Sequence, residues 1–349
     1  MQILVLDDDN LIISYRIGNP DITLGFSHDI YRYNISEKII TKLNTDSFEH
    51  ENLDISKYQG IVIGIRHSKM QLTKASDGKF ALCFSGRYYI FSGDTLIKTG
   101  SVYAPGKIVE TMVMSPDLSC YAYRAKNPGT ISRYGKYYVA DTETGEKRFE
   151  DYFWAYDVVF SPDGSKISFK RYDEDNTYLG IIDPVTGYWD EIKLNADQAY
   201  GYSFFGFTWS EGGQSMRYFN RISQTDEYLI SEIFGVEVNR VNLSDGSITT
   251  DYTFDPDEDF YNGDIDFNFF GDDVYVTRIP TEVNQNVELY RVTQSGAELI
   301  FKYPCGKQYQ YNYSAVQALP NGGYVMLCSV YDSITDGTEN QSYQIIIYQ

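Results

Sequence analysis

Val158-Val159-Phe160-Ser161-Pro162-Asp163-Gly164-Ser165-Lys166-Ile167-Ser168-Phe169 reads as strand, tight turn, strand. Proline presets the backbone angle of the first turn position, aspartate bonds back to its own chain, and glycine accepts left-handed geometry. The same grammar stands at Val113-Met114-Ser115-Pro116-Asp117-Leu118-Ser119-Cys120-Tyr121 and at Leu72-Thr73-Lys74-Ala75-Ser76-Asp77-Gly78-Lys79-Phe80. Looser copies are Trp209-Ser210-Glu211-Gly212-Gly213, Phe270-Gly271-Asp272-Asp273 and Leu319-Pro320-Asn321-Gly322-Gly323, with an N-terminal one at Leu6-Asp7-Asp8-Asp9-Asn10. From Asp77 to Asp117 is 40 residues, to Asp163 a further 46, and to Glu211 a further 48. A period of that size is what a four-stranded blade requires.

A second hairpin is expected to follow each first one. Tyr137 to Phe149 places a Thr-Gly turn between two strands, and Leu179 to Gly187, Val238 to Gly246, Leu289 to Gly296 and Ile30 to Lys38 fit the same frame. Two hairpins per period, rich in Tyr, Val, Ile and Phe, make an antiparallel four-stranded sheet. One such sheet cannot cover both of its faces, so neighbours must stack, and radial closure leaves only short edges. Seven copies predict an all-β fold, a seven-bladed β-propeller occupying residues 1–349 as one domain. A long connection over 44–67, with a strand-like segment from Gly60 to Arg66, and an insertion at about 221–235 interrupt the repeat. The last copy shows three clear strands. Gln2 to Leu6 reads either as its fourth strand or as the inner strand of the first blade.

The Ser-Pro-Asp-Gly turn between the first two strands of each copy resembles that of WD-repeat-like β-propellers, closest to TolB-type and prolyl-oligopeptidase-type propeller domains. The resemblance covers nearly the whole chain and implies a superfamily fold without an activity. The Trp-Asp dipeptide of true WD repeats occurs once, at Trp189-Asp190, in a different strand context, and the sialidase Asp-box is not matched. No hydrolase domain accompanies the repeats, so peptidase activity is not implied.

Composition narrows the partners. The 49 acidic against 29 basic residues, a net charge of -20, argue against nucleic acid, because a phosphate-binding surface must bring cations to the backbone. No apolar run reaches the length of a bilayer span, so no membrane insertion is expected. The acidic Asp7-Asp8-Asp9 comes too early for a signal peptide, which points to the cytoplasm, or outside it if a leader has been removed. Four cysteines, Cys83, Cys120, Cys305 and Cys328, are too few for a disulfide scaffold and read as buried reduced thiols.

Catalytic motifs are scarce. His28, His50 and His67 form no zinc spacing, and no Gly-X-Ser-X-Gly elbow or phosphate-binding glycine loop occurs, so no cofactor is expected. Asp255 to Asp266 imitates the start of a calcium loop. Phe260 stands at the position needing glycine and Asp266 at the position needing glutamate, so no metal is expected there.

The informative chemistry is aromatic. In a propeller the segments leading into each innermost strand meet around one face of the channel. Here they carry Tyr103, Tyr152-Phe153-Trp154-Ala155-Tyr156, Tyr200-Gly201-Tyr202, Phe260-Tyr261 and Tyr309-Gln310-Tyr311-Asn312-Tyr313. Tyr and Trp pair flat apolar surface with a polar tip, which suits sugar rings and extended peptides. Aromatic rings at blade junctions also fill the wedge between sheets; the recurrence in five connections is what points to a binding face. The expected ligand-binding residues are Trp154, Tyr156, Tyr200, Tyr202, Tyr261, Tyr311 and Tyr313, with Lys107, Arg171, Asp259 and Lys307 as orienting groups. The sequence therefore reads as a binding or scaffold propeller for a carbohydrate-like ligand or a protein segment. The alternatives are a propeller glycosidase or lyase using axial carboxylates, and a structural protein whose tyrosines serve blade packing.

Overall fold

The computed structural model describes residues 2–18, 26–43, 71–75, 77–84, 86–102, 104, 107–127, 136–152, 155–172, 176–194, 204–222, 235–254, 264–279, 286–304, 309–332 and 340–348. These form antiparallel sheets only, seven of them, and the fold class is the seven-bladed β-propeller that the repeat predicts.

Four sheets belong to a first compact unit, Met1–Asp173 with Tyr178–Ile192. Blade 1 runs β1 (Gln2–Val5), β2 (Asn10–Gly18), β3 (Phe26–Asn34) and β4 (Ile39–Lys42). Blade 2 is β5 (Gln71–Lys74), β6 (Lys79–Phe84), β7 (Arg87–Ser92) and β8 (Thr95–Ser101). Blade 3 is β9 (Ile108–Met114), β10 (Cys120–Lys126), β11 (Lys136–Asp141) and β12 (Lys147–Tyr152). Blade 4 is β13 (Ala155–Phe160), β14 (Ile167–Tyr172), β15 (Thr177–Ile182) and β16 (Trp189–Lys193). The first strands β1, β5, β9 and β13 are neighbours in that order, the arrangement of inner strands in a propeller.

A second compact unit, Glu174–Thr177 with Lys193–Gln349, holds three sheets. Blade 5 is β17 (Phe204–Trp209), β18 (Ser215–Ile222), β19 (Gly235–Asn242) and β20 (Ile248–Phe254). Blade 6 is β21 (Asp264–Phe270), β22 (Asp273–Ile279), β23 (Asn286–Thr293) and β24 (Gly296–Pro304). Blade 7 has three strands, β25 (Tyr309–Ala318), β26 (Tyr324–Asp332) and β27 (Asn340–Tyr348). Here β17, β21 and β25 are the neighbouring first strands. The N-terminal alternative is settled by register: Gln2↔Ser14 to Val5↔Leu11 makes β1 the inner strand of blade 1. The strand-like segment 60–66 and the insertion residues 224–234 lie outside the described residues.

The turns use the side chains that the repeat predicts. Between first and second strands, the Oγ atoms of Ser115, Ser161 and Ser210 accept the N–H of Cys120, Lys166 and Ser215 at 3.0, 2.9 and 3.1 Å. Ser115 and Ser161 also donate to Asp117 and Asp163 at 2.6 Å. Between third and fourth strands, Asn34, Asp141, Asp183 and Asn242 each accept at least one backbone N–H two or three residues on. A turn the sequence pattern did not single out, Gly93-Asp94, joins β7 to β8. The fourth position of the first turn is glycine with positive φ at Gly78, Gly164, Gly213 and Gly322, but in blade 3 it is Leu118 at φ 61°. A side chain in that region costs about 1–2 kcal/mol because Cβ crowds the following carbonyl.

Packing between blades is aromatic. Tyr88, Tyr121, Tyr123 and Tyr138 are buried between blades 2 and 3, with ring centroids 5.4, 5.9 and 4.8 Å apart along the row. Phe169 and Phe160 join Val139 and Ile182 between blades 3 and 4. Phe219 stacks on Phe269 at 4.0 Å between blades 5 and 6. Cys83 and Cys120 are buried free thiols, as expected, and burial pushes both up. Register breaks recur at fixed places. Those within the first-to-second ladder fall in blades 3, 4, 5 and 7, and those within the third-to-fourth ladder in blades 2, 3, 5 and 6.

Candidate functional sites at the two ends of the blades

Antiparallel order gives each sheet two ends. The turn end carries the first-to-second and third-to-fourth turns; the connection end carries the second-to-third links and the entry into each first strand.

Of the predicted aromatic set, Tyr156, Tyr311 and Tyr313 are described, at the connection ends of β13 and β25. Trp154, Tyr200, Tyr202 and Tyr261 lie outside the described residues, as do Asp259 and Lys307. Tyr156 is placed on β13, as the register partner of Lys170, next to the break between Tyr156 and Val159. Tyr311 and Tyr313 are placed on β25, opposite Val330 and Ser329, with a second break between them. A bulge bends its strand and re-aims the residues beside it, and such bulges are over-represented next to active sites. Lys107 is exposed beside the entry to β9, donates to the Tyr138 hydroxyl at 2.9 Å and stands 5.5 Å from its ring centroid. Arg171 pairs with Glu191 at 2.7 Å and lies over the Tyr178 ring at 4.9 Å.

The pattern of buried charge at this end was not visible in the sequence. Arg124, Lys126 and Lys170 are buried on the second strands of blades 3 and 4, on their connection-end halves. In the second unit, Glu288 is buried near the start of β23, accepting from Lys302 at 2.9 Å and from Tyr290 at 2.6 Å, with Arg278 3.4 Å away. Burial works to raise the Glu288 carboxyl, but the bonds from Tyr290 and Lys302 and the two positive charges outweigh it and hold the group below its usual range. Asp266, on the inner strand β21, behaves in the opposite way: it is open to water yet closely surrounded by protein, and desolvation raises its carboxyl. A cation or carboxylate taken out of water is costly unless matched, and Glu288 is matched by Lys302, Arg278 and Tyr290.

The turn end of blades 2 and 3 holds a groove of about 510 Å³. Ala75, Ile90, Ile97, Pro116 and Leu118 supply its apolar surface, and Asp77, Asp117, Asp141 and Glu143 its acid rim. Ile97 is 49% exposed, at the break in the β7–β8 ladder. Two bonds join blades 2 and 3 at this end: Lys98 to Glu143 at 2.7 Å, and, buried, the Tyr88 hydroxyl to the Thr142 carbonyl at 3.0 Å. Asp141 is held near 2 by the N–H of Thr144 and by the Arg148 side chain.

Of the former calcium-like stretch only Asp264 to Asp266 is described, as the start of β21, and among the described residues no group of three or more His, Cys, Asp or Glu could hold a metal ion. No helix among them is long and apolar enough to cross a membrane.

No family profile and no curated protein matches the chain. Solved structures do. The polysaccharide lyase Uly1 superposes with a TM-score of 0.58 at 12% identity, over 99% of this chain and 89% of that one. Hydrazine synthase from Kuenenia stuttgartiensis gives 0.54 at 14% identity, over 99% and 94%. The Swd1 β-propeller domain from Myceliophteria thermophila gives 0.50 at 12% identity, over 96% and 99%. At such identities the likeness is one of fold. It places the chain among β-propellers, whose members include both scaffolds and enzymes.

Proposed function

We propose that this chain is a non-catalytic binding propeller, TolB-like in its Ser-Pro-Asp-Gly turns and folded as one domain over 1–349. It takes a carbohydrate-like ligand or a protein segment at the connection ends of its blades. The observation that carries the reading is the coincidence at that end of buried charge with bulged inner strands bearing aromatic residues. Lys170 faces Tyr156 in register, and Arg124 and Lys126 occupy the same end of blade 3. Aromatic side chains (Trp154, Tyr156, Tyr200, Tyr202, Tyr261, Tyr311 and Tyr313) give contact area, while Lys107, Arg171, Asp259 and Lys307 orient a bound molecule. No nucleic acid is a partner, given the charge of -20.

The test is a glycan-array and peptide-array screen of the wild-type chain, followed by Trp154→Ala, Tyr156→Ala and Tyr313→Ala. Binding should fall at least tenfold with stability changed by less than about 1 kcal/mol, as for exposed positions. Losses of about 3–5 kcal/mol, the magnitude for truncated buried rings, together with unchanged binding, would assign the rings to blade packing.

A second reading, a glycan-cleaving propeller enzyme, draws support from Asp266 alone. An inner-strand carboxyl that is accessible and raised has the properties of a general acid. Release of new sugar ends from a polysaccharide panel, abolished in Asp266→Asn, would establish it; no release by the wild type would remove it.

A further inference from the structure

The groove at the turn end of blades 2 and 3 is separate from the connection-end reading and uses none of its residues. Its most unusual feature is Leu118. Leu118, Gly164, Gly213 and Gly322 each donate their N–H to the carbonyl three residues back, at 2.9, 2.9, 2.9 and 3.0 Å, so they are equivalent turn positions. Only in blade 3 does this set carry a side chain, and that side chain lines the groove. Strain of this kind persists where the surroundings over-determine it, and it gathers at ligand clamps. Leu118 is only half-buried, so contacts with the core beneath account for part of its surface.

The charges beside it are unequal. Lys79 pairs with Asp77, Lys98 with Glu143, and Arg148 with Asp141. Asp117 takes its hydrogen bonds from neutral donors, the Ser115 hydroxyl and the Ser119 N–H; among the described residues no cation bonds it directly, and Arg148 acts on it from a longer range. The groove therefore presents an apolar wall (Ile97, Pro116 and Leu118) next to Asp117, and its lining carries four acids, Asp77, Asp117, Asp141 and Glu143, against two lysines, Lys79 and Lys98.

We infer that this groove docks a partner segment of cationic and apolar chemistry, an extended peptide that sets a large aliphatic side chain against Leu118 and Ile97 and an arginine or lysine against Asp117. The volume lies within the range of about 300–1,000 Å³ typical of ligand pockets. Charge complementarity selects the occupant: an acidic or purely polar segment meets like charge at the rim and leaves the apolar wall wet.

Fluorescence anisotropy with a short labelled peptide alternating arginine and leucine tests this, beside counterparts with glutamate for arginine and with glycine for leucine. The first should bind and both counterparts should bind at least tenfold more weakly. Leu118→Gly restores the residue of the other repeats, so the fold should melt no lower than wild type while affinity drops at least tenfold. Glu143→Lys, at an 87% exposed side chain, should weaken binding and flatten its dependence on salt. Trp154→Ala should leave this binding unchanged, which separates its outcome from that of the connection-end site. Equal binding of the glycine counterpart, or full affinity in Leu118→Gly, would reduce the effect to general charge attraction and overturn the inference.

Discussion

At the turn end of blade 3, Ser115 and Asp117 close their own turn, and every hydrogen bond they make is with a residue no more than five positions away. At the connection end of the same blade, Arg124 and Lys126 are buried on β10, with the Arg124 guanidinium 5.9 Å from the Tyr137 ring. The Ser and Asp turns of the first end satisfy themselves locally and so repeat with the same few residue types, although Arg217 of blade 5, buried at that end, bonds Asp251 and the Asp272 carbonyl across the fold. The second end satisfies them through the fold, with groups that differ from blade to blade: cations in blades 3 and 4, and Glu288 in blade 6. Repetition marks what the architecture needs, and divergence marks where individual blades have been specialised. Leu118 is instructive because it is a divergence within an otherwise repetitive turn.

The largest expected effect joins the two ends. The tyrosine row between blades 2 and 3 runs from Tyr88, bonded to the Thr142 carbonyl at the turn end, to Tyr138, bonded to Lys107 near the connection end. Tyr123→Ala, at a fully packed position of that row, should cost about 3–5 kcal/mol in denaturant melts. A loss below about 1 kcal/mol would mean that the row does not couple the blades.

A smaller effect isolates the turn end. Ser161→Ala removes the acceptor of the Lys166 N–H and the donor to Asp163 at a buried site, and should cost about 1–2 kcal/mol without altering ligand binding. Altered binding would show that the two ends are not independent.

The smallest effect is a shape of a pH profile. Asp141 is depressed to about 2 in the fold, against about 3.9 for an unfolded aspartate. A depressed carboxylate stabilises above its unfolded value, and that contribution is lost as pH falls through the folded one. Melting temperature should therefore drop between about pH 4 and pH 2, less steeply in Asp141→Asn. Asparagine keeps the turn, as Asn34 and Asn242 do at the same place. An unchanged slope in the variant would assign acid sensitivity to other carboxylates.

The propeller was legible because its turns are local. Ser-Pro-Asp-Gly encodes its own geometry, so even the looser copies at Glu211 and Asn321 mark true turns between β17 and β18 and between β25 and β26. The β7–β8 hairpin was passed over because its Gly93-Asp94 turn lacks the serine or threonine of its counterparts. The cations of the connection end were illegible for a different reason. Arg124, Lys126 and Lys170 look like surface residues in a half-polar strand, and only the packing of neighbouring sheets turns them inward. Of the aromatic set, the repeat pattern put Tyr156, Tyr311 and Tyr313 in the segments leading into the inner strands, whereas they stand on β13 and β25 themselves, and Trp154, Tyr200, Tyr202 and Tyr261 fall outside the described residues.

The recurring breaks between third and fourth strands bear on how the chain behaves at high concentration. An outer strand exposes a row of free amides and carbonyls that can template another chain, and a bulge spoils that template by twisting the edge away. Blades 2, 3, 5 and 6 are defended in this way. The β3–β4 and β26–β27 ladders are regular, and their outer strands show Ile39, Ile40 and Tyr348 to solvent. Blade 1 offsets this with a strand of only four residues, preceded by Lys38 and ending on Lys42, whereas β27 pairs over nine residues without interruption. Storage and crowding should therefore first betray themselves as strand-to-strand association along the last blade, and a lysine placed on that edge is the change that would keep the protein in solution.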